Sequence, residues 1–324
     1  MSLTITLYMM PFAISQIFTG ALSDVYGRAR IISLGLVIYC LGSFIVVLYP
    51  TIEVLLLARV IQGIGSSMLS PAAMALVGDV VESKGLGKAM GGTMSSMTLG
   101  MALGVLIGGY LALIGWIYAF MLLGLVSLSI LLLTMGLRDY RGCSSHGTVN
   151  LRLALLKTFR NKIIMLIGAA GFIIFVIRIG IPTYLADALG KPPYQWSTNS
   201  IGMLLSSIGF AGLAAGPIAG CITDKLGRVQ AAFIGIGLLL ATSIMLAMPI
   251  WPLIVSIILP TLGFGGVTLF TSLSTIIMEV EPQTKGAATS IYGFLRFMGY
   301  ALSPLTTINA CLLYTSDAAD ELDG

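Results

Sequence analysis

The sequence predicts an all-α, polytopic membrane protein built from two related halves. Three observations carry this. Of 324 residues, 57% are hydrophobic and only 9% charged, against roughly 25% charged in soluble domains. The apolar residues fall in long runs, each near the ~20 residues a helix needs to cross a bilayer. A polar corner after the first run, GALSDVYGRAR (Gly20 to Arg30), returns two hundred residues later as GCITDKLGR (Gly220 to Arg228).

Ten runs read as spans: 3–22, 31–49, 54–77, 89–114, 116–137, 163–186, 199–222, 230–250, 252–277 and 286–310. They are too long and too uniformly apolar for the ~10-residue alternating strands of a barrel. The connections between them fall alternately on two sides. Of the 17 Lys and Arg residues, Lys191 alone lies on one side, three arginines lie inside spans, and the rest lie on the other side. Lys and Arg favour the cytoplasmic side, so the protein is expected in the cell membrane with its longest loop, 138–162, in the cytoplasm. That loop divides an N-terminal half, 1–137, from a C-terminal half, 163–310. Its later part, LRLALLKTFRNK, reads either as an amphipathic helix on the anionic inner leaflet or as a plain basic linker.

Several classes are excluded. Cys40, Cys143, Cys221 and Cys311 are scattered and His146 stands alone in a polar loop, so no metal site is expected. No nucleophile, histidine and acid occur together, so the chain is not expected to be an enzyme. GFGGV (263–267) lacks a full dinucleotide fingerprint and sits inside a span. No nucleic-acid partner is expected; the bilayer is the partner.

A shift of 200 aligns Gly20 with Gly220, Asp24 with Asp224, Gly27 with Gly227, Arg28 with Arg228 and Asp79 with Glu279. A shift of 199 lays GMALGVL (Gly100 to Leu106) on GYALSPL (Gly299 to Leu305). Both corners fall on the same side, so the halves are parallel repeats about an axis along the membrane normal.

The duplicated corner Gly-x-x-x-Asp-x-x-Gly-Arg resembles the signature loop of the major facilitator superfamily. The resemblance covers about residues 3–310 and implies two pseudo-symmetric six-helix bundles, of which this chain holds family helices two to eleven. LLLARVIQGIG (Leu55 to Gly65) resembles the fourth-helix pattern, with Arg59, Gln62 and Gly63. Gly91, Gly100, Gly104, Gly108 and Gly109 are similar to the fifth-helix glycine spacing of drug:proton antiporters, with Val105 where that pattern carries proline. The stretch CLLYTSDAADE (Cys311 to Glu321) resembles translated sequencing-adapter DNA, so 311–324 is set aside as foreign to the protein.

The resemblance implies roles. Asp24 is expected to meet the N-terminus of family helix eleven near Lys285–Gly286, with Arg28 pairing Asp79. Asp224, Arg228 and Glu279 would mirror this at the start of helix five, near Leu86–Lys88. Gly20, Gly27, Gly220 and Gly227 would allow close approach and a sharp turn. Such contacts form a latch that exists only when the cytoplasmic side is closed. Exposed pairs at ~0–1 kcal/mol and helix-end charges at ~0.3–2 kcal/mol suggest a bias of roughly 1–4 kcal/mol. Arg59 is expected in proton coupling. Arg296 reads as facing the central cavity or packing structurally, and Arg178 as snorkelling outward or lining the cavity mouth. The stripe Gly100, Gly104 and Gly108 reads as an interface between halves or as ordinary tight packing.

The expected function is secondary transport by alternating access, with proton-coupled efflux of small amphiphilic molecules. Uptake of a metabolite or organic anion is the alternative, and a non-transporting sensor or scaffold a distant one. The expected partners are a small-molecule substrate, protons and lipid. No cofactor beyond the proton gradient is expected, and the chain is expected to act as a monomer.

Overall fold

Why the helices end where they do follows from two glycines. In the computed structural model, the first apolar run and the corner after it form one helix, α1 (Ser2–Tyr26). It stops at Gly27, whose φ of +96° is costly for any residue with a Cβ. The next helix, α2 (Arg28–Leu48), starts at once. The C-terminal half repeats the device at Gly227, with φ +101°, between α8 (Thr198–Leu226) and α9 (Arg228–Ala247). Hydropathy predicts where the membrane begins; the glycine decides where the helix ends, a few residues further on.

The remaining long helices are α3 (Ile52–Val80), α4 (Leu86–Ile114), α5 (Trp116–Gly136), α7 (Lys162–Gly190), α10 (Pro252–Val280) and α11 (Lys285–Asp320). A short helix, α6 (Leu151–Arg160), lies in the linker. The structure describes residues 2–136, 151–192, 194–247 and 252–320, with side-chain surroundings as far as Ser303. Cys143 and His146 lie outside the described residues, as do the surroundings of Gly109 and Val105. Among the described residues there is no strand, and seven helices are apolar and long enough to cross a membrane by composition alone. The other three long helices, α1, α4 and α11, have 25, 29 and 36 residues, which also suffices for a span.

The two halves share one packing pattern. In the N-terminal half α3 lies against α1 and α2, and α5 against α2. In the C-terminal half α10 lies against α8 and α9, and α11 against α7. The halves meet chiefly along two helix pairs, α1 with α11 and α4 with α8, with lesser contacts of α4 with α10 and of α3 with α11 and α10. The four helices of the two main pairs are rich in glycine, serine and threonine, the small residues that let membrane helices approach closely.

The linker helix α6 touches α1 and α11, one from each half. Thr158 is buried, Lys157 pairs with Glu281 at 2.5 Å, and Asn161 caps α7 through a 3.0 Å bond from the Ile163 N–H. Leu156 and Phe159 stay exposed. The segment is thus helical and docked on the bundle.

A glycine at positive φ and a glycine inside a helix respond differently to a methyl group. Gly27→Ala is expected to destabilise the protein by about 1–3 kcal/mol through backbone strain, although its Cβ would meet no atom within 4 Å. Gly92→Ala, helical and equally open, is expected to leave stability unchanged or raise it. Thermal unfolding in detergent compares the two.

Candidate functional site: two helix clamps and a buried arginine cluster

Each corner holds the start of a helix in the opposite half. Asp24 accepts bonds from the Gly286 and Ala287 N–H groups, at 2.9 and 2.8 Å. Asp224 accepts from the Gly87 and Lys88 N–H groups, at 2.8 and 2.9 Å. These are the second and third residues of α11 and α4, where helix amides lack internal partners and the dipole is positive. A carboxylate satisfies both needs together.

The clamps depend on close approach. A Cβ on Gly20 would overlap the Gly286 carbonyl, and one on Gly220 would stand 2.6 Å from the Lys88 Cα. Gly20 also donates its N–H to Ser290 Oγ at 2.7 Å. Gly91 lies against Gly216 one turn further along, where a methyl group would overlap the carbonyl.

The arginines tie each corner to its own half. Arg28 bonds Asp79 at the end of α3 through Nε at 3.0 Å, donates to Ser23 Oγ at 2.7 Å, and also pairs with Asp24. Arg228 pairs with Glu279 at the end of α10 at 2.5 Å and donates to the Ser83 carbonyl at 2.7 Å. The mirror is imperfect. Arg28 and Asp79 are each about one-tenth exposed, whereas Arg228 and Glu279 are 23% and 35% exposed. Asp79 takes a second cation, Lys285 from the other half, at 3.0 Å. The value for exposed pairs is therefore too low for the first clamp. Removing one partner of a buried pair costs about 3–5 kcal/mol.

Sequence reasoning placed Lys285 at a helix start but missed its pairing with Asp79, and it missed Ser23, Ser83 and Ser290. Lys285 and Asp79 are 206 positions apart, and no periodicity relates them. It also missed Gln16, which is fully buried against Gly293 of α11.

The glycine stripe of α4 needs correction. Gly100 lies nine residues, two and a half turns, beyond Gly91, hence on the opposite face. Nothing lies within 4 Å of where a Cβ on Gly100, Gly104 or Gly108 would be. In this state they pack against neither half. Contacts between α4 and α8 run from Gly87 and Gly220 to Ser95, which bonds the Leu213 carbonyl at 3.0 Å, and Thr98, near Gly212. Beyond Thr98, Leu99 and Leu103 on one face of α4 and Met101 on the opposite face are all exposed. Contacts between α1 and α11 reach as far as Phe12 and Phe297, edge to face at 4.7 Å. The halves are sealed at the Lys- and Arg-rich end.

The three embedded arginines fall into two groups. Arg59 on α3 donates to Gln62 Oε1 at 3.3 Å and lies 4.8 Å over the Phe120 ring. Gln62 in turn bonds Ser43 at 2.9 Å, and Gly63 sits against the Tyr8 backbone. Arg296 on α11 is 1% exposed and ringed by Phe175, Phe270, Tyr292 and Phe297, at 4.8–5.5 Å. In this state the rings enclose it. Arg178 on α7 turns inward to Gly266 of α10, one turn from Phe270, whose ring lies against Arg296. It does not snorkel. Among the described residues none of the three pairs with a carboxylate. No group of His, Cys, Asp and Glu that could hold a metal occurs among them either.

A helical membrane protein with paired, pseudo-symmetric halves and matching clamps at one end is the architecture of a transporter. Residues 1–304 match the Major Facilitator Superfamily, and the chain belongs to it. It is 25% identical over 311 residues to the uncharacterized MFS-type transporter YybF of Bacillus subtilis, covering 92% of this chain and 74% of that one. It is 23% identical over 358 residues to the riboflavin transporter RibZ of Clostridioides difficile, covering 92% and 77%. The crystal structure of the human organic anion transporter MFSD10 superposes with a TM-score of 0.77 at 19% identity, covering 94% of this chain and 76% of that one. That likeness shows the fold. The relatives are named as transporters, not enzymes, in keeping with the sequence reading.

Asp24→Asn is expected to open the sealed end more than Asp224→Asn, because the first clamp is the more deeply buried. Charged hydrogen bonds contribute ~1.5–3 kcal/mol, so the open population rises roughly tenfold or more. The rate at which an impermeant maleimide labels Ser290→Cys, in a background lacking the native cysteines, measures it.

Proposed function

We propose that the protein is a secondary active transporter working by alternating access, with the sealed end facing the cytoplasm. The observation that carries this is the duplicated clamp. In each corner a carboxylate of one half holds the first amides of a helix in the other, and the remaining contacts between the halves are side-chain bonds and packing, so the two can part without unfolding either. The basic end is assigned to the cytoplasm by its Lys and Arg excess. The state described is then outward-facing, and the clamps are the latch that favours it. The central loop with α6 is cytoplasmic, in the cell membrane.

The energy source in this reading is the proton gradient, with no bound cofactor, and one chain is the working unit. Gly91, Gly100, Gly104, Gly108 and Gly109 favour the exporter branch, because their spacing is similar to that of drug:proton antiporters. Arg59, bonded to Gln62 and lying over Phe120, is the residue assigned to proton coupling. The cargo is a small amphiphilic molecule. Uptake by the same fold is the second reading, favoured by one observation: the charges buried in the membrane interior are all arginine, which suits an anionic metabolite.

Inside-out vesicles carrying the full chain test this with rhodamine 6G and fluorescein as amphiphiles of opposite charge. Export predicts accumulation in the vesicles that a protonophore abolishes, and that Asp24→Asn or Arg59→Gln lowers at least about tenfold. Depletion in place of accumulation selects uptake. Transport indifferent to the gradient and to both substitutions overturns the proposal.

A further inference from the structure

Arg178 and Arg296 are hard to explain as structure alone. A central arginine in a membrane normally faces a partner or a water-filled space. Every Asp and Glu among the described residues lies in a loop or within three residues of a helix end. Among the described residues, then, no carboxylate lies beside these arginines to balance their charge.

Depth brings further groups to the same level. At 1.5 Å per residue, Arg296 lies about 16 Å along α11 from Lys285. Gln16 lies about 15 Å from the corresponding end of α1, and Thr271 about 14 Å from that of α10. All three stand near the middle of a ~30 Å hydrocarbon core. All carry buried polar atoms without a hydrogen-bond partner: Arg296 Nε, both amide atoms of Gln16, and Thr271 Oγ1. Buried polar atoms are ordinarily satisfied. Arg178 lies about 24 Å from Lys162, closer to the unsealed end, level with Gly266. It is half-buried, whereas Arg296 is enclosed.

The aromatic cage explains part of this and not all. Four rings around one guanidinium give cation–π stabilisation that compensates some of its burial. They leave its Nε, the Gln16 amide and Thr271 unbonded, and they offer nothing to Arg178. Two neighbouring cations also repel. A single negative charge entering from the unsealed end would balance both arginines. It would meet Arg178 first and Arg296 next. Both are arginine, whose planar fork matches a carboxylate in two parallel bonds. The rings of Phe175, Phe270 and Phe297, with Phe12 edge-on to the last at 4.7 Å, supply a flat apolar surround.

We propose that Arg178 and Arg296 form the substrate site of the C-terminal half, and that it takes a small aromatic organic anion, with Gln16 and Thr271 as further hydrogen-bonding partners. This rests on the transporter reading above and narrows its cargo.

Titration calorimetry on the purified full chain in detergent tests it, with 2-naphthoate as probe. The uncharged 2-naphthalenemethanol and inorganic phosphate are the comparisons. Naphthoate is expected to bind at least about tenfold more tightly than either, a difference of ~1.4 kcal/mol. Arg178→Gln and Arg296→Gln are each expected to weaken naphthoate by a similar factor and to leave the alcohol unchanged, while Arg178→Lys retains part of the affinity. Should Arg296→Gln fail to fold, Arg178→Gln decides. Equal affinity for acid and alcohol, or naphthoate binding unchanged in the arginine variants, overturns the site. Phosphate binding as tightly as naphthoate overturns its aromatic character. Gradient-driven transport without naphthoate preference refutes this site alone; naphthoate binding without gradient-driven transport refutes the transport reading alone.

Discussion

A carboxylate at the free amides of a helix in the other half is the interaction on which the molecule's arrangement rests. It occurs twice, at Asp24 with α11 and at Asp224 with α4. Both glycines before it must lack a side chain for the helices to meet, and both glycines after it must turn through positive φ. The arginine next in sequence then anchors each corner to its own half. Because the clamp engages helix ends, not helix faces, it can release while the bonds within each helix remain made.

The two clamps differ, and the difference has a physical origin. Asp79 receives both Arg28 and Lys285, so the first clamp is a buried network of two acids and two bases. The second is shallower, with Ser83 bridging Arg228 and Glu279. A buried charge pair is costly to break singly because the survivor is stranded in a low dielectric. The first clamp therefore carries more of the bias toward the sealed arrangement. The linker helix α6, touching α1 and α11 beside Glu281, adds a connection on the same side.

Away from the clamps, the interior is electrically one-sided. Arg59 is held by Gln62 and Phe120, and Arg296 by four rings. Neighbouring α10 presents Thr268, Thr271, Ser272, Ser274 and Thr275, all fully buried. The hydroxyls of Thr268, Ser272 and Thr275 bond back to their own helix, while that of Thr271 stands near the depth of Arg296.

The sequence by itself determined the membrane, the spans, the repeat and the chemistry of the clamps. Apolar runs and charge bias answer to the bilayer, which acts on each segment locally, and the repeat preserves spacing that a shift of 200 exposes. Asp24, Arg28 and their copies were legible because each sits in a short motif. Tertiary structure alone decided the rest. It brought Lys285 onto Asp79, set the first clamp deeper than the second, turned Gly100, Gly104 and Gly108 away from α8, and enclosed Arg296 beside Arg178. These depend on how helices distant in sequence rotate and approach one another, and small residues permit several such approaches at little difference in local energy. Only the packing of all the helices together selects one.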